Sequence, residues 1–295
     1  MTTTTLLGLP GLLALTLAPA APDIAPPGPI IVFCPQGELS RTYGADGADM
    51  LHDLWPLDDG GVLVCGEWWG SMPLPGTSFA PTGTAHEGEM FLARLNCLGQ
   101  PVWVAASSSR YATRALEIEV DGALVHVEGT FFGSVDFDPL DQGASSSELS
   151  AIFENGFRAS YALTNGAFVS AQRTPYAELE LEPPRRVAEL PGGERVVIES
   201  FRGRRPLPPG TGSASLSSAG RTDALALHYD AQNQLVQHWA WQGPEADHAT
   251  AVAYEPVGAV LWIGGTFERE ILPNGSGQAP GVVYERDLWL RRVDP

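Results

Sequence analysis

Cysteine is nearly absent: three residues, Cys34, Cys65 and Cys97, in 295. That excludes a disulfide framework, and with no C-x-x-C pair it argues against a structural zinc site. At most one intramolecular bridge can form, which leaves one thiol over. Basic residues are also scarce, 17 Lys and Arg against 35 Asp and Glu, for a net charge of −18. Such a chain repels nucleic acid and anionic membrane surfaces, whereas cationic partners or Ca²⁺ are admissible. No stretch has the spacing of a long amphipathic helix. After the first twenty residues no apolar run approaches the ~20 residues that cross a bilayer as a helix. There is no H-E-x-x-H, G-x-S-x-G, P-loop or dinucleotide fingerprint, so the common hydrolytic and nucleotide chemistries lack their motifs.

Turn-forming residues are abundant, with 33 Gly and 25 Pro. Together with many Thr, Val and aromatic residues they predict numerous short strands joined by tight turns. The first twenty residues carry no charge; an apolar run from Leu6 to Leu17 leads into Ala18-Pro19-Ala20, the A-x-A pattern of a signal-peptide cleavage site. Residues 1–20 are therefore read as a signal peptide, 21–29 (APDIAPPGP) as a Pro-stiffened linker, and 30–295 as the folded repeat domain. No transmembrane segment is expected once the signal is removed.

One short motif recurs four times: GEWWG at 66–70, GTFFG at 129–133, ESFRG at 199–203 and GTFER at 265–269. The starts are 63, 70 and 66 residues apart. Each copy ends an apolar, β-branched run, VLVCGEW, LVHVEGTF, RVVIESF and VLWIGGTF, and each run follows a glycine turn. Another strand-like run precedes every turn, and two more follow the motif after a loop of variable length. In the second copy an insertion around residues 145–156 displaces the third run, RASYALT, to 158. Four strands per repeat with local turns is the pattern of a propeller blade, whose sheet needs neighbours to bury both faces.

The last copy, ending at Pro295, has three strands, while ELSRTYG at 38–44 reads as a fourth. The expected fold is thus all-β: a β-propeller of four blades, each of four antiparallel strands, with the ring closed by pairing of the termini. Ile30 to Phe33 resembles a surplus third strand and leaves five blades or an open ring as alternatives. The succession of strand, G-x-F-x-G, polar loop, acid-led run ending in Tyr-Asp, turn and Trp-containing strand is most complete at 196–241. It resembles the exported bacterial β-propeller repeat proteins over nearly all of 30–295. Glu199 replaces the first motif glycine, and Glu268 and Arg269 depart from the usual residues. The resemblance implies a propeller and export; it brings no catalytic positions.

Candidate chemistry is sparse. DFDPLD offers Asp136, Asp138 and Asp141 as hard oxygen ligands for Ca²⁺, but three carboxylates fall short of the six to eight oxygens the ion takes. A solvated turn is the competing reading. The six histidines lack metal-ligand spacing; His52-Asp53 and Asp247-His248 stand near the starts of first strands and are candidates for a channel-facing pair. Most of the aromatics, which include Trp68-Trp69, Trp239, Trp241 and Trp262, are expected between sheets, with a few as exposed stacking platforms for sugars or peptides; Arg202, Arg204 and Arg205 are expected at a solvated loop tip, with a grip on an anionic ligand as the alternative. These features point to an exported, non-catalytic binding or interaction module at or outside the cell envelope, with an envelope or extracellular protein or glycan as partner. The alternatives are a polysaccharide hydrolase or lyase with a channel site, and a purely structural envelope component.

Overall fold

The computed structural model describes residues 38–44, 48–69, 88–139, 147–175, 186–207, 215–268, 272–273 and 286–295. Apart from one 3-10 turn at Pro191–Gly193, the secondary structure of these residues is strand. The predicted signal peptide and linker, residues 30–37 with Cys34, and Asp141 lie outside them.

Four antiparallel sheets carry the chain, an all-β and propeller-like arrangement. Sheet I holds Met50–Pro56, Val62–Trp68, Glu89–Leu95 and Pro101–Ala106. Sheet II holds Thr113–Asp121, Leu124–Asp136, Glu148–Ala162 and Phe168–Thr174, with Ser108–Ser109 added beside the end of its second strand. Sheet III holds Val187–Glu189, Arg195–Phe201, Asp223–Tyr229 and Leu235–Gln242, with Leu272–Pro273 on its outer edge. Sheet IV holds Asp247–Glu255, Val260–Glu268, Arg286–Val293 and, paired antiparallel to the last, Leu39–Tyr43. A short ribbon, Arg204–Pro206 with Ser215–Ser217, follows the second strand of sheet III.

The register explains the motif. In sheets I, III and IV the motif aromatic faces the start of the third strand, Trp68 opposite Glu89, Phe201 opposite Asp223 and Phe267 opposite Asp287, while in sheet II, where that strand begins earlier, Phe131 faces Asn155 in its middle. The first strands of sheets I, II and IV each carry a bulge at one place, after Leu51, Ala115 and Ala249. A bulge bends the strand and re-aims its carbonyls. Just before it the carbonyls of Met50, Arg114 and His248 press on the α-carbons of Gly66, Gly129 and Gly265, where a Cβ would overlap the oxygen. In sheet III the first strand is described only from Val187, opposite Val197, and does not reach the level of Glu199. The motif glycine is thus a steric requirement of three sheets, and Glu199 stands where no described strand presses.

Neighbouring sheets repeat a second contact. The backbone N–H of Asp49, at the entry to sheet I, donates to the Arg286 carbonyl (2.6 Å). Thr113, entering sheet II, donates to Gly88 (3.1 Å), and Asp247, entering sheet IV, to Thr222 (2.7 Å). These three first strands are therefore pinned to the start of the third strand of a neighbouring sheet, which satisfies an otherwise orphaned donor. Apolar clusters fill the same seams. Leu51, Trp68, Phe91, Trp262 and Leu290 join sheets I and IV; Leu63, Leu92, Ile118, Val127 and Phe157 join I and II. Ile198, Trp239, Trp241, Val252 and Trp289 join III and IV. A fourth cluster, around Phe201, Leu225 and Leu227, contains only residues of sheet III and its ribbon. Among the described residues no apolar cluster joins sheets II and III.

One expectation changes. The insertion in the second repeat is strand: the second and third strands of sheet II extend as one hairpin to Asp136 opposite Glu148, so Ser134 to Asp136 do not belong to a loop. One residue, Phe132, faces three, Ile152 to Glu154, across a wide irregularity in that extension. Cys97 is disulfide-bonded, with its partner outside the described residues, while Cys65 is a buried thiol that is not disulfide-bonded.

Candidate functional site

Sheets I, III and IV each bury apolar side chains on both faces. Among the described residues sheet II does so on one. Its residues alternate strictly, with Ile118, Val125, Val127, Phe157 and Ala159 packed against sheet I. Their neighbours along each strand must point the other way, because successive strand side chains alternate. Register places them in two cross-strand rows. One row runs Glu119, His126, Ser160 and Ser170. The other runs Glu117, Glu128, Arg158 and Gln172.

These polar groups form an ordered network. Arg158 ion-pairs with Glu128 and, at 2.5 Å, with Glu119. The His126 Nδ1 lies 2.8 Å from the Ser160 hydroxyl. The Arg158 hydrogen bond holds the Glu119 carboxyl below its usual range despite slight desolvation. Burial tends to lower the Arg158 pKa, but its two carboxylate partners outweigh that and raise it. The guanidinium and the Glu119 carboxylate are therefore charged at neutral pH, and the network is part-exposed. Ser160 is buried and bonded to an imidazole, but nothing described around it supplies an oxyanion donor set or a deep cleft. The arrangement suits binding better than acyl transfer.

At the far end of this face lies Phe132, 38% exposed, whose ring meets Tyr111 edge-on at 5.0 Å. The irregularity opposite Phe132 turns Ile152 and Phe153 outward, 83% and 77% exposed. Surface of this kind is uncommon on a sheet edge that only needs to be soluble.

The residues singled out from the sequence are scattered. Asp136 Oδ1 accepts the Asp138 backbone N–H (2.9 Å), an Asx turn that occupies one of the proposed calcium oxygens. Asp141 is outside the described residues, among which no group of three or more His, Cys, Asp and Glu side chains is placed to hold a metal. His52-Asp53 and Asp247-His248 are not equivalent. Register aligns Asp247 with the residue facing Trp68, namely Asp49, while His52 is the bulge residue and Asp53 lies beyond it. Asp53 instead accepts the Ile118 backbone N–H across the seam (3.0 Å). His52 stands 3.8 Å from the buried Glu67, which Arg114 also grips at 2.9 Å. Burial would raise Glu67, but His52 and Arg114 together pull its carboxyl below the usual range. Arg205 is tied to Glu199 (2.7 Å) and Arg204 to the Ser215 hydroxyl (2.8 Å), which engages two of the three loop-tip guanidiniums within the fold. Trp68, Trp239, Trp241 and Trp262 are buried between sheets, as expected. A small cavity between sheets I and IV, lined by apolar side chains and Tyr43, offers no reactive group.

Asp247 has the most displaced carboxyl of the described residues. Burial, then the nearby Asp223, push it up to about 8, against a partial offset from the Gly243 backbone N–H. Its folded pKa exceeds its unfolded one, so the folded state holds an extra proton between the two values and loses stability as pH rises. Wild type should therefore lose melting temperature relative to Asp247→Asn as pH rises from about 4 towards 8. Calorimetry of both proteins across that window would check it; a difference that is flat or grows in favour of wild type would refute the assignment.

The polar rows were missed from the sequence, yet they left a signal. LEIEV, VHVEG and FRASY alternate strictly, whereas VLVCG and ALALH in other repeats place small or apolar residues on both faces. Comparison with known proteins adds little to the site. No protein-family model and no curated protein matches the chain. Among solved structures it is similar to the quinohemoprotein alcohol dehydrogenase ADHIIG of Pseudomonas putida HK5, with 7% identity and a TM-score of 0.21, covering 80% of this chain and 58% of that one. It is also similar to a DUF4221 family member from Bacteroides vulgatus, with 8% identity and a TM-score of 0.22, covering 87% of this chain and 96% of that one. The chain thus spans little more than half the length of the dehydrogenase, and likenesses this weak carry no argument about activity.

Proposed function

We propose that this protein is an exported, four-bladed β-propeller that acts as a non-catalytic binding module at or outside the cell envelope. Sheets I to IV would be the blades, in the order II, I, IV, III, with Leu39–Tyr43 as the last strand of the fourth and the ring open between II and III, whose described residues share no apolar cluster. One observation supports the binding role above all: sheet II spends a whole face on an ordered, part-exposed polar network where its neighbours bury apolar side chains. A face that only terminates a repeat array needs polar residues but no cross-strand network. Export rests on the uncharged, apolar first twenty residues and the A-x-A pattern at 18–20.

Two measurements test this reading. The mature protein recovered from its producing cell should start at Ala21; a cytoplasmic chain that retains residues 1–20 would refute export. In a screen against glycans and envelope extracts, hydrogen exchange should slow in the strands Thr113–Asp121, Leu124–Asp136 and Glu148–Ala162 on binding. Release of shortened polysaccharide would favour the hydrolase or lyase alternative instead.

A further inference from the structure

We propose that the polar face of sheet II, with Phe132 at its end, binds an oligosaccharide that carries no acid groups. The inference rests on the binding-module reading and names its ligand class.

The chemistry of the face selects the ligand. An ionised carboxylate offers about four acceptor positions and a guanidinium five donors. Arg158 consumes only part of that capacity at Glu119 and Glu128, and in doing so holds both carboxylates still. Fixed acceptors suit hydroxyl groups, because little ordering entropy remains to be lost on binding. His126 is pinned through Nδ1 by Ser160, and its Nε2 has no protein partner among the described residues. The surface therefore presents fixed acceptors, a guanidinium and an imidazole across neighbouring strands, which lie ~4.8 Å apart. A pyranose ring with its hydroxyls is of that scale.

Charge decides against acidic sugars. Glu117, Glu119 and Glu128 outnumber Arg158 on the face, and the whole chain carries −18. A uronate or sulfated chain would meet repulsion both locally and from afar. Neutral or amino sugars meet none.

The aromatic end completes the argument. Phe132 continues the alternation of Glu128 and Thr130 along one strand, and Tyr111 props its ring edge-on at 5.0 Å. A sugar that accepts hydrogen bonds at one edge can lay its C–H face on such a ring, as amphipathic ligands do in sites that combine apolar and polar walls. A protein partner fits less well. Stable protein interfaces centre on a desolvated apolar core with a polar rim. Here the centre of the face is charged and the apolar groups, Phe132, Ile152 and Phe153, sit at one end.

Calorimetric titration of the full-length mature protein provides the test, with cellohexaose, a glucosamine hexamer, a galacturonate hexamer and a Lys-rich peptide as probes. Cellohexaose or the glucosamine hexamer should bind, and the galacturonate hexamer should not. Phe132→Ala and Glu128→Gln should each weaken saccharide binding at least about tenfold. Phe132→Ala removes an exposed ring and should keep the wild-type melting temperature, so its loss of binding cannot be ascribed to unfolding. Binding of none of the sugars, preference for the galacturonate, or affinity unchanged in both variants would overturn the proposal. If the Lys-rich peptide alone bound the face, the saccharide assignment would fall while the binding module stood. Cleavage of a bound hexamer would overturn the non-catalytic reading itself.

Discussion

Gly129→Ala is expected to destabilise the protein by about 4 kcal/mol or more, among the largest effects of any single methyl group added to this chain. The added Cβ would overlap the Arg114 carbonyl oxygen and also meet the Phe157 ring, which is wholly buried. Neither neighbour can yield cheaply. The carbonyl belongs to a strand held on both sides of its bulge, and the ring packs against Phe131 and Phe137 in the seam between sheets I and II. Gly66→Ala and Gly265→Ala should behave alike, since the carbonyls of Met50 and His248 stand in the same relation to them. The corresponding residue of sheet III supplies the control. Glu199→Ala should cost within ~1 kcal/mol, because it removes only a part-exposed ion pair with Arg205. Urea denaturation of the four variants checks the contrast through the midpoint. If Gly129→Ala matched Glu199→Ala, the steric account of the motif would be wrong.

Trp289→Ala should cost about 3–5 kcal/mol, the range for truncating a fully buried aromatic. Trp289 has no exposed surface and packs on Trp241 of sheet III with ring centroids 4.9 Å apart. It is a residue of sheet IV that fills the seam with sheet III. Its indole N–H donates to the Thr266 carbonyl (3.2 Å), so truncation leaves both a cavity and a buried acceptor short of a partner. Trp289→Phe keeps most of the apolar contact and should recover more than half of the loss. Equilibrium unfolding followed by tryptophan fluorescence and by circular dichroism measures both. A variant as stable as wild type would mean that sheets III and IV do not depend on this contact.

Much of the strand content was legible because two independent periods coincide. The alternation of apolar residues marks each strand, and the motif repeats at 63, 70 and 66 residues with a glycine turn before each copy. The pairing of ELSRTY with the LWLRRV strand was also readable, since a three-strand unit at one place and a lone strand at another complement each other. The second repeat misled. Residues 145–156 read as an insertion because Leu149, Ala151, Ile152 and Phe153 stand among Ser and Glu without the length of a core strand, whereas a hairpin that extends beyond its sheet is held by backbone pairing with little burial. The histidine–aspartate pairs misled for a different reason: the two first strands carry their bulge at the same place, so Asp247 corresponds to Asp49, and His52-Asp53 lies three residues further along its strand.

What the sequence by itself determined is local or summed: which runs are strands, where the turns fall, that one motif recurs four times, and a net charge of −18. Those properties reside in neighbouring residues, or in sums over all of them, and need no knowledge of what touches what. What only the tertiary structure decided is every relation across a gap in the chain. The Arg114 carbonyl over Gly129, the Asp247 carboxyl driven up by burial beside Asp223, and Arg158 between Glu119 and Glu128 join residues that no spacing rule connects. Close approach, desolvation and charge pairing act through space over a few ångströms, so they become visible only once the sheets have been brought together.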